Sequence, residues 1–157
     1  MARADLAAAG QPELAAQVLR WQRELFVVGA ELATNPDAQD RLEDGVTRVS
    51  EQMLEGVEAE LRRLETGIDM PREFVVAGET QASAAIELAR AVLRRAERRI
   101  VELERVVELE GGWVVPYVNR LADLLWVLAR AAEQAEGRRP TPSRTRPRRR
   151  HSEPEVE

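Results

Sequence analysis

Apolar residues recur along this chain at steps of three and four, in runs separated by proline, glycine and asparagine. That period belongs to helices buried on one side, whereas a half-buried strand would alternate every second residue. The first run places Leu14, Val18, Trp21, Leu25, Val28 and Leu32 on one stripe, with Pro12 suited to the opening turn. Thr34, Asn35, Pro36 and Asp37 then break the pattern, because proline disfavours a helical residue before it. A second stripe runs through Val46, Val49, Met53, Val57, Leu61, Leu64 and Ile68 until Gly67, Asp69 and Pro71 bring the breakers back. The stretch from Phe74 to Thr80 is too short for a helix of its own and reads as an extended connector. A third helix, about residues 82–110, carries Ala85, Leu88, Val92, Ala96, Leu103 and Val107 on its expected inner side and stops at Gly111 and Gly112. A fourth opens at Pro116, shows Leu121, Leu124, Leu125 and Leu128, and fades after Gln134 as Gly137 arrives.

Helices of this kind, joined by short breaks, predict an all-α fold: a compact antiparallel helical bundle of ferritin-like type over residues 1–137. With 157 residues and 44% apolar content, one such domain can bury a core unaided, and 4% aromatic residues with nine glycines speak against an all-β chain. Cysteine is absent, which excludes a disulfide framework and thiolate metal sites. No signal-like or membrane-length apolar run occurs, so the expected compartment is cytoplasmic. Residues 138–157 hold seven arginines against three glutamates and almost no aliphatic side chains; they are expected to form a disordered basic tail behind an acidic body. Such a tail could bind nucleic acid with steep salt dependence, but no aromatics interleave for base stacking, so nucleic acid is not the expected partner. His151, the single histidine, lies in that tail and reads as inert.

On the third helix, successive residues turn by about 100°, which places Ser83, Glu87, Arg90, Arg94 and Glu97 in one polar sector. Guanidinium groups one turn apart can grip phosphate oxygens in pairs, and a neighbouring carboxylate can orient them or hold Mg²⁺. The same residues also suit a solvated surface on which Glu87 pairs with Arg90 and Arg94, and Glu97 with Arg94. Asn119 and Asp123 likewise share a face of the fourth helix and, alone, would read as surface.

Two blocks taken together separate these alternatives. The connector and third helix read Phe74-Val-Val-Ala-Gly-Glu into Ala89-Arg90-Ala-Val-Leu-Arg94-Arg-Ala-Glu97-Arg, and the fourth helix reads Tyr117-Val-Asn119-Arg-Leu-Ala-Asp123-Leu-Leu-Trp126-Val-Leu-Ala-Arg130. In order and spacing they resemble the PduO-type ATP:cob(I)alamin adenosyltransferases, where F-x-x-P-G-G leads to A-R-x-x-x-R-R-A-E-R and then to Y-x-N-R-L-S-D-x-L-F-x-x-A-R. The run from Trp21 to Thr34 is similar to that family's second helix, so the resemblance covers about residues 14–133.

The resemblance implies a homotrimeric helical bundle that moves the 5′-deoxyadenosyl group of ATP to cob(I)alamin and releases triphosphate. It implies ATP, Mg²⁺ and cobalamin as ligands, and a cobalamin reductase and a mutase as candidate partners. By similarity, Arg94 contacts the polyphosphate, Glu97 organises the nucleotide and its Mg²⁺, and Asn119 binds the nucleotide. Arg90 buttresses a subunit contact, Phe74 packs on the corrin, and Asp123 completes the polar shell. This sequence departs from the family at several places. The T-G-D-x-G segment is not found, and Met1–Gly10 reads as the end of the family's first long helix. Ala77-Gly78-Glu79 stands for Pro-Gly-Gly, Glu87 for a histidine, Ala122 for a serine and Trp126 for a phenylalanine. Those departures keep open an alternative: a catalytically impaired relative that binds corrinoid or nucleotide as a regulatory subunit.

Overall fold

The computed structural model describes residues 1–107, 109 and 111–144 of the chain. Among the described residues five α-helices follow one another: α1 (Ala2–Ala8), α2 (Pro12–Ala33), α3 (Glu51–Gly67), α4 (Gln81–Glu104) and α5 (Val114–Ala135), with a 3-10 turn at Pro36–Arg41 between α2 and α3. The expected all-α bundle is what forms. The cross-links fix its directions. Gln11 Nε2 donates to the Ala132 carbonyl, and the Tyr117 hydroxyl donates to Glu24, so α2 and α5 run antiparallel. Arg120 bonds Glu58, and Gln134 bonds the backbone of Asp69, so α3 and α5 run parallel. Asn119 bonds Glu97 and Arg130 pairs with Glu87, which sets α4 antiparallel to α5. The four long helices therefore alternate up and down, as short connections between packed helices favour, and α1 lies across α2 and α4.

Helix α5 is the axis of the molecule. Val114, Tyr117, Val118, Leu121, Leu124, Val127 and Leu128 are all at most 2% exposed. Burying each of the leucines contributes about 1.5–3 kcal/mol relative to leaving it in water. Around this axis pack Val18, Trp21 and Val28 of α2, Met53, Val57, Leu61 and Leu64 of α3, and Ile86, Leu93 and Ile100 of α4.

Three features differ from the sequence-based expectation. First, α3 starts at Glu51 rather than near Val46, because the Ser50 hydroxyl accepts the Met53 N–H and caps the helix there. Val46 sits exposed in a turn, and Val49 is buried in the approach to the helix. At the same end, the buried Glu31 carboxylate accepts the Val49 N–H at 2.6 Å, while Arg48 donates to the Gln39 carbonyl. Burial raises the Glu31 pKa above its usual value, opposed by that N–H and by Arg48.

Second, α4 is turned the other way round. Leu88 is 61% exposed and Val92 48% exposed, and Ala96 is also exposed, so most of the predicted apolar stripe of α4 faces outward; only Ala85 of its first residues is buried. The residues that α4 buries are Ala82, Ser83, Ala85, Ile86, Glu87, Leu93, Glu97 and Ile100. The polar ones are tolerated inside because partners meet them there: Thr80 for Ser83, arginines for Glu87, and Arg94 and Asn119 for Glu97. Leu25 on α2 is exposed as well.

Third, residues 138–144 do not hang free. The Val76 N–H donates to the Thr141 carbonyl at 2.8 Å and the Ser143 N–H to the Phe74 carbonyl at 2.7 Å, an antiparallel bridge centred on Val75 and Pro142. Residues 145–157, including His151, lie outside the described residues.

Candidate functional site

The polar sector of α4 is held in place from its first turn. The Thr80 hydroxyl accepts the Ser83 N–H and the Ser83 hydroxyl accepts the Thr80 N–H, both at 3.1 Å, a reciprocal cap that sets where the helix begins. Just before it, Gly78 has φ +98°, a conformation side-chain-bearing residues avoid, and the chain there turns from the connector into α4. From that start, Glu87 and Glu97 reach Arg130 and Asn119 of α5, and Arg90 and Arg94 line a cavity together with Asn119 and Trp126 of α5.

At the far end of this seam Asn119 Nδ2 donates to Glu97 Oε1 at 2.8 Å, and Arg94 Nη1 lies 2.7 Å from Glu97 Oε2. Glu97 is 8% exposed, so its charge is neutralised locally by Arg94 rather than by water. The Arg94 contact is an ion pair out of line for a hydrogen bond, and Oε2 has no other partner. At the near end Glu87, also 8% exposed, lies 2.7 Å from Arg90 Nε through one oxygen and 3.3 Å from Arg130 Nη1 through the other. Arg130 is fully buried and pairs with buried Glu133 through two bonds of 2.8 and 2.9 Å. The Trp126 ring stacks at 5.5 Å from the Arg130 guanidinium carbon.

Two cavities open along this seam. One, of about 480 Å³, is lined by Arg90, Arg94, Asn119, Asp123 and Trp126 among others. The other, of about 690 Å³, is lined by Arg72, Phe74, Arg90, Trp126 and Arg144 among others. Arg90 and Trp126 border both. Phe74 is 84% exposed and presents an uncovered ring from the connector. Asp123 is exposed and pairs with Arg120 at 3.1 Å. All six residues singled out from sequence (Phe74, Arg90, Arg94, Glu97, Asn119 and Asp123) therefore sit along one seam. What sequence reasoning missed is Arg130 and its carboxylates. The signal was available in Arg130 and Glu133, an opposite-charge pair three residues apart among the leucines and alanines of 124–132.

The seam does not make a metal cage. Among the described residues no group of three or more His, Cys, Asp or Glu side chains could hold an ion, and both Glu97 oxygens already face Arg94 and Asn119. Glu97 thus fits a bracing carboxylate, and Mg²⁺ accompanying a polyphosphate would depend on phosphate oxygens and water.

A helical bundle with an arginine-bearing cavity beside one bordered by exposed aromatic carbon offers paired donors for anionic oxygens next to apolar surface. Comparison with known proteins makes this specific. The sequence profile described as cobalamin adenosyltransferase matches residues 1–132, and the chain belongs to that family. It is 34% identical over 123 residues to a corrinoid adenosyltransferase of Citrobacter freundii, covering 78% of this chain and 68% of the relative. It is 31% identical over 132 residues to a corrinoid adenosyltransferase of Bacillus subtilis, covering 82% and 64%. The corrinoid adenosyltransferase PduO of Salmonella typhimurium is 33% identical over 115 residues, 71% of this chain but 32% of that protein. Among solved structures, a variant PduO-type ATP:corrinoid adenosyltransferase from Lactobacillus reuteri, complexed with cobalamin and ATP, superposes with a TM-score of 0.78 at 25% identity, covering 92% of this chain and 81% of that one.

Proposed function

We propose that this chain transfers the 5′-deoxyadenosyl group of ATP to the cobalt of a cob(I)alamin-type corrinoid. The observation that carries the reading is the pair of adjoining cavities, one bordered by Arg94 and Asn119 and one by Phe74, that share Arg90 and Trp126. In the reaction, the Co(I) electron pair forms a bond to the 5′ carbon while the bond from that carbon to oxygen breaks, and triphosphate leaves with those electrons. Arg94 meets the developing negative charge on the leaving group, where a preplaced cation in a water-poor cleft is most effective. Glu97 holds Arg94 from behind and receives Asn119, so the nucleotide meets a surface already in position. Phe74 packs its exposed ring on the corrin, and Asp123 borders the nucleotide cavity from α5.

Leu88 and Val92 on α4, with Leu25 and Phe26 on α2, give α2 and α4 apolar residues that the described residues leave exposed. A second and third copy of the chain would bury them, which supports a homotrimer. Among the described residues, no helix is long and apolar enough to cross a membrane. We place the reaction in the cytoplasm, with a reductase supplying Co(I) and a mutase using the product.

The test is direct: purified protein given chemically reduced cobalamin and MgATP should yield adenosylcobalamin, followed by its absorbance, with one triphosphate released per turnover. Arg94→Ala should abolish product formation. Tight ATP binding by the parent protein without any product would instead favour the regulatory relative.

A further inference from the structure

The residue bridging the two cavities is Arg90, and the structure shows what decides where its guanidinium lies. Arg90 Nε is 2.7 Å from Glu87 Oε2, its side chain stays about one-third exposed, and the residue lines both cavities. Glu87 is not a flexible surface partner. It is nine-tenths buried, and its second oxygen lies 3.3 Å from the fully buried Arg130, which is locked in turn to Glu133. The four charges, two arginines and two carboxylates, balance within one small volume of the α4–α5 seam. An exposed pair at this spacing would contribute little and would be free to part; a carboxylate clamped from beneath holds its upper partner to one direction. A histidine or neutral side chain at this position could not serve both guanidinium groups at once.

We infer that Glu87 is a positioning residue for the proposed transfer: braced by Arg130 and Glu133, it fixes the Arg90 guanidinium at the junction where the nucleotide and the corrinoid must be aligned. The inference rests on the proposed adenosyltransfer. Arg90 borders both ligands but encloses neither, so misplacing it should disturb alignment of the reacting centres more than the binding of either partner. Misplacement by about 1 Å can cost up to about 100-fold in rate.

Glu87→Gln keeps the size of the side chain and an oxygen to receive Arg90, but removes the charge that holds both arginines. The expected result is a kcat reduced about 10–100-fold with KM for ATP and for cob(I)alamin each within about threefold of the parent. Val57→Ala, a truncation of a buried α3 residue that lines neither cavity, serves as a control for loss of stability; it should lower Tm while leaving kcat in place. The Nε–H resonance of Arg90, identified by its absence from Arg90→Lys, should be shifted and protected from water exchange in the parent and should lose both properties in Glu87→Gln. Should Glu87→Gln not fold, Glu87→Asp keeps the charge but withdraws the carboxylate by about 1.5 Å, and a lowered kcat with unchanged KM values is again expected. Parent-like kcat, a kcat loss matched by Val57→Ala, or an unmoved Arg90 resonance would each overturn the assignment. If the parent protein makes no adenosylcobalamin, the proposed function fails, whereas the Arg90 resonance still reports whether Glu87 sets that side chain.

Discussion

Replacing Arg130 by methionine tests the energetics of the seam in isolation from its chemistry. The guanidinium is fully buried, and among the described residues its loss strands Glu133, which is 0% exposed and has no other side-chain partner, and leaves Glu87 with Arg90 alone. Removing one member of a buried ion pair typically costs about 3–5 kcal/mol, because the remaining charge keeps its desolvation penalty without its compensation. The Trp126 face also loses its cation, a smaller effect of about 0.5–2 kcal/mol. For a chain of this size each kcal/mol shifts Tm by about 2–4 °C, so Arg130→Met should melt about 6–20 °C lower. The measurement is thermal and urea unfolding at pH 7 and one fixed protein concentration, since assembly adds its own stability. The midpoint in urea should fall while the slope stays constant, as expected when the native state is weakened and the surface exposed on unfolding is unchanged. A double variant, Arg130→Met with Glu133→Leu, should recover much of the loss because no unpaired charge then remains at Glu133. A single variant within about 1 kcal/mol of the parent, or a double variant no better than the single, would refute the reasoning that this quartet is a closed set of compensating charges.

Tyr117→Phe should cost about 1–3 kcal/mol, read as a lower urea midpoint, because the buried hydroxyl donates to the Glu24 carboxylate at 2.7 Å and both burial and that bond keep the phenol protonated well above its usual range. Glu31 has its pKa raised by burial, so the folded protein holds that proton more tightly than the unfolded chain; this group therefore takes stability away as pH rises above 4.5. Glu31→Gln should flatten that part of the stability–pH curve, and an unchanged slope would contradict the account. Phe74→Ala should leave Tm nearly unaltered, within about 0.5 kcal/mol, since the ring is 84% exposed, yet weaken corrinoid binding and spare ATP affinity in calorimetric titrations. Glu79→Ala removes the carboxylate that accepts the Thr141 N–H at 3.2 Å, and hydrogen exchange at Val76 and Ser143 should quicken without a matching fall in Tm.

The period of three and four was enough to place four long helices, because burial of one face is what stabilises helices in water. It was not enough to orient α4. Leu88, Val92 and Ala96 repeat every four residues and look like a core stripe, yet they face outward, and the inner face carries Glu87 and Glu97. Hydropathy cannot tell a buried carboxylate from a solvated one, since the difference lies in partners on another helix: Arg130 and Asn119 on α5. The candidate site residues were legible because their order along two segments resembled a family, and the partner of Glu79 was hidden for the complementary reason. Its carboxylate receives a backbone N–H from residue 141, a contact between positions far apart in the chain. The ordered course of residues 138–144 was hidden likewise, because a proline- and arginine-rich stretch with little to bury can still pair its backbone with a neighbouring extended segment.

That pairing bears on how the protein should be handled at the bench. With Thr141 and Ser143 pinned alongside Phe74 and Val76, a fluorescent label attached at Ser143 or Arg144 stands at the rim of the aromatic cavity. Bulk or charge introduced there would crowd incoming ligand, so rate constants are best taken on protein that carries no label at those positions.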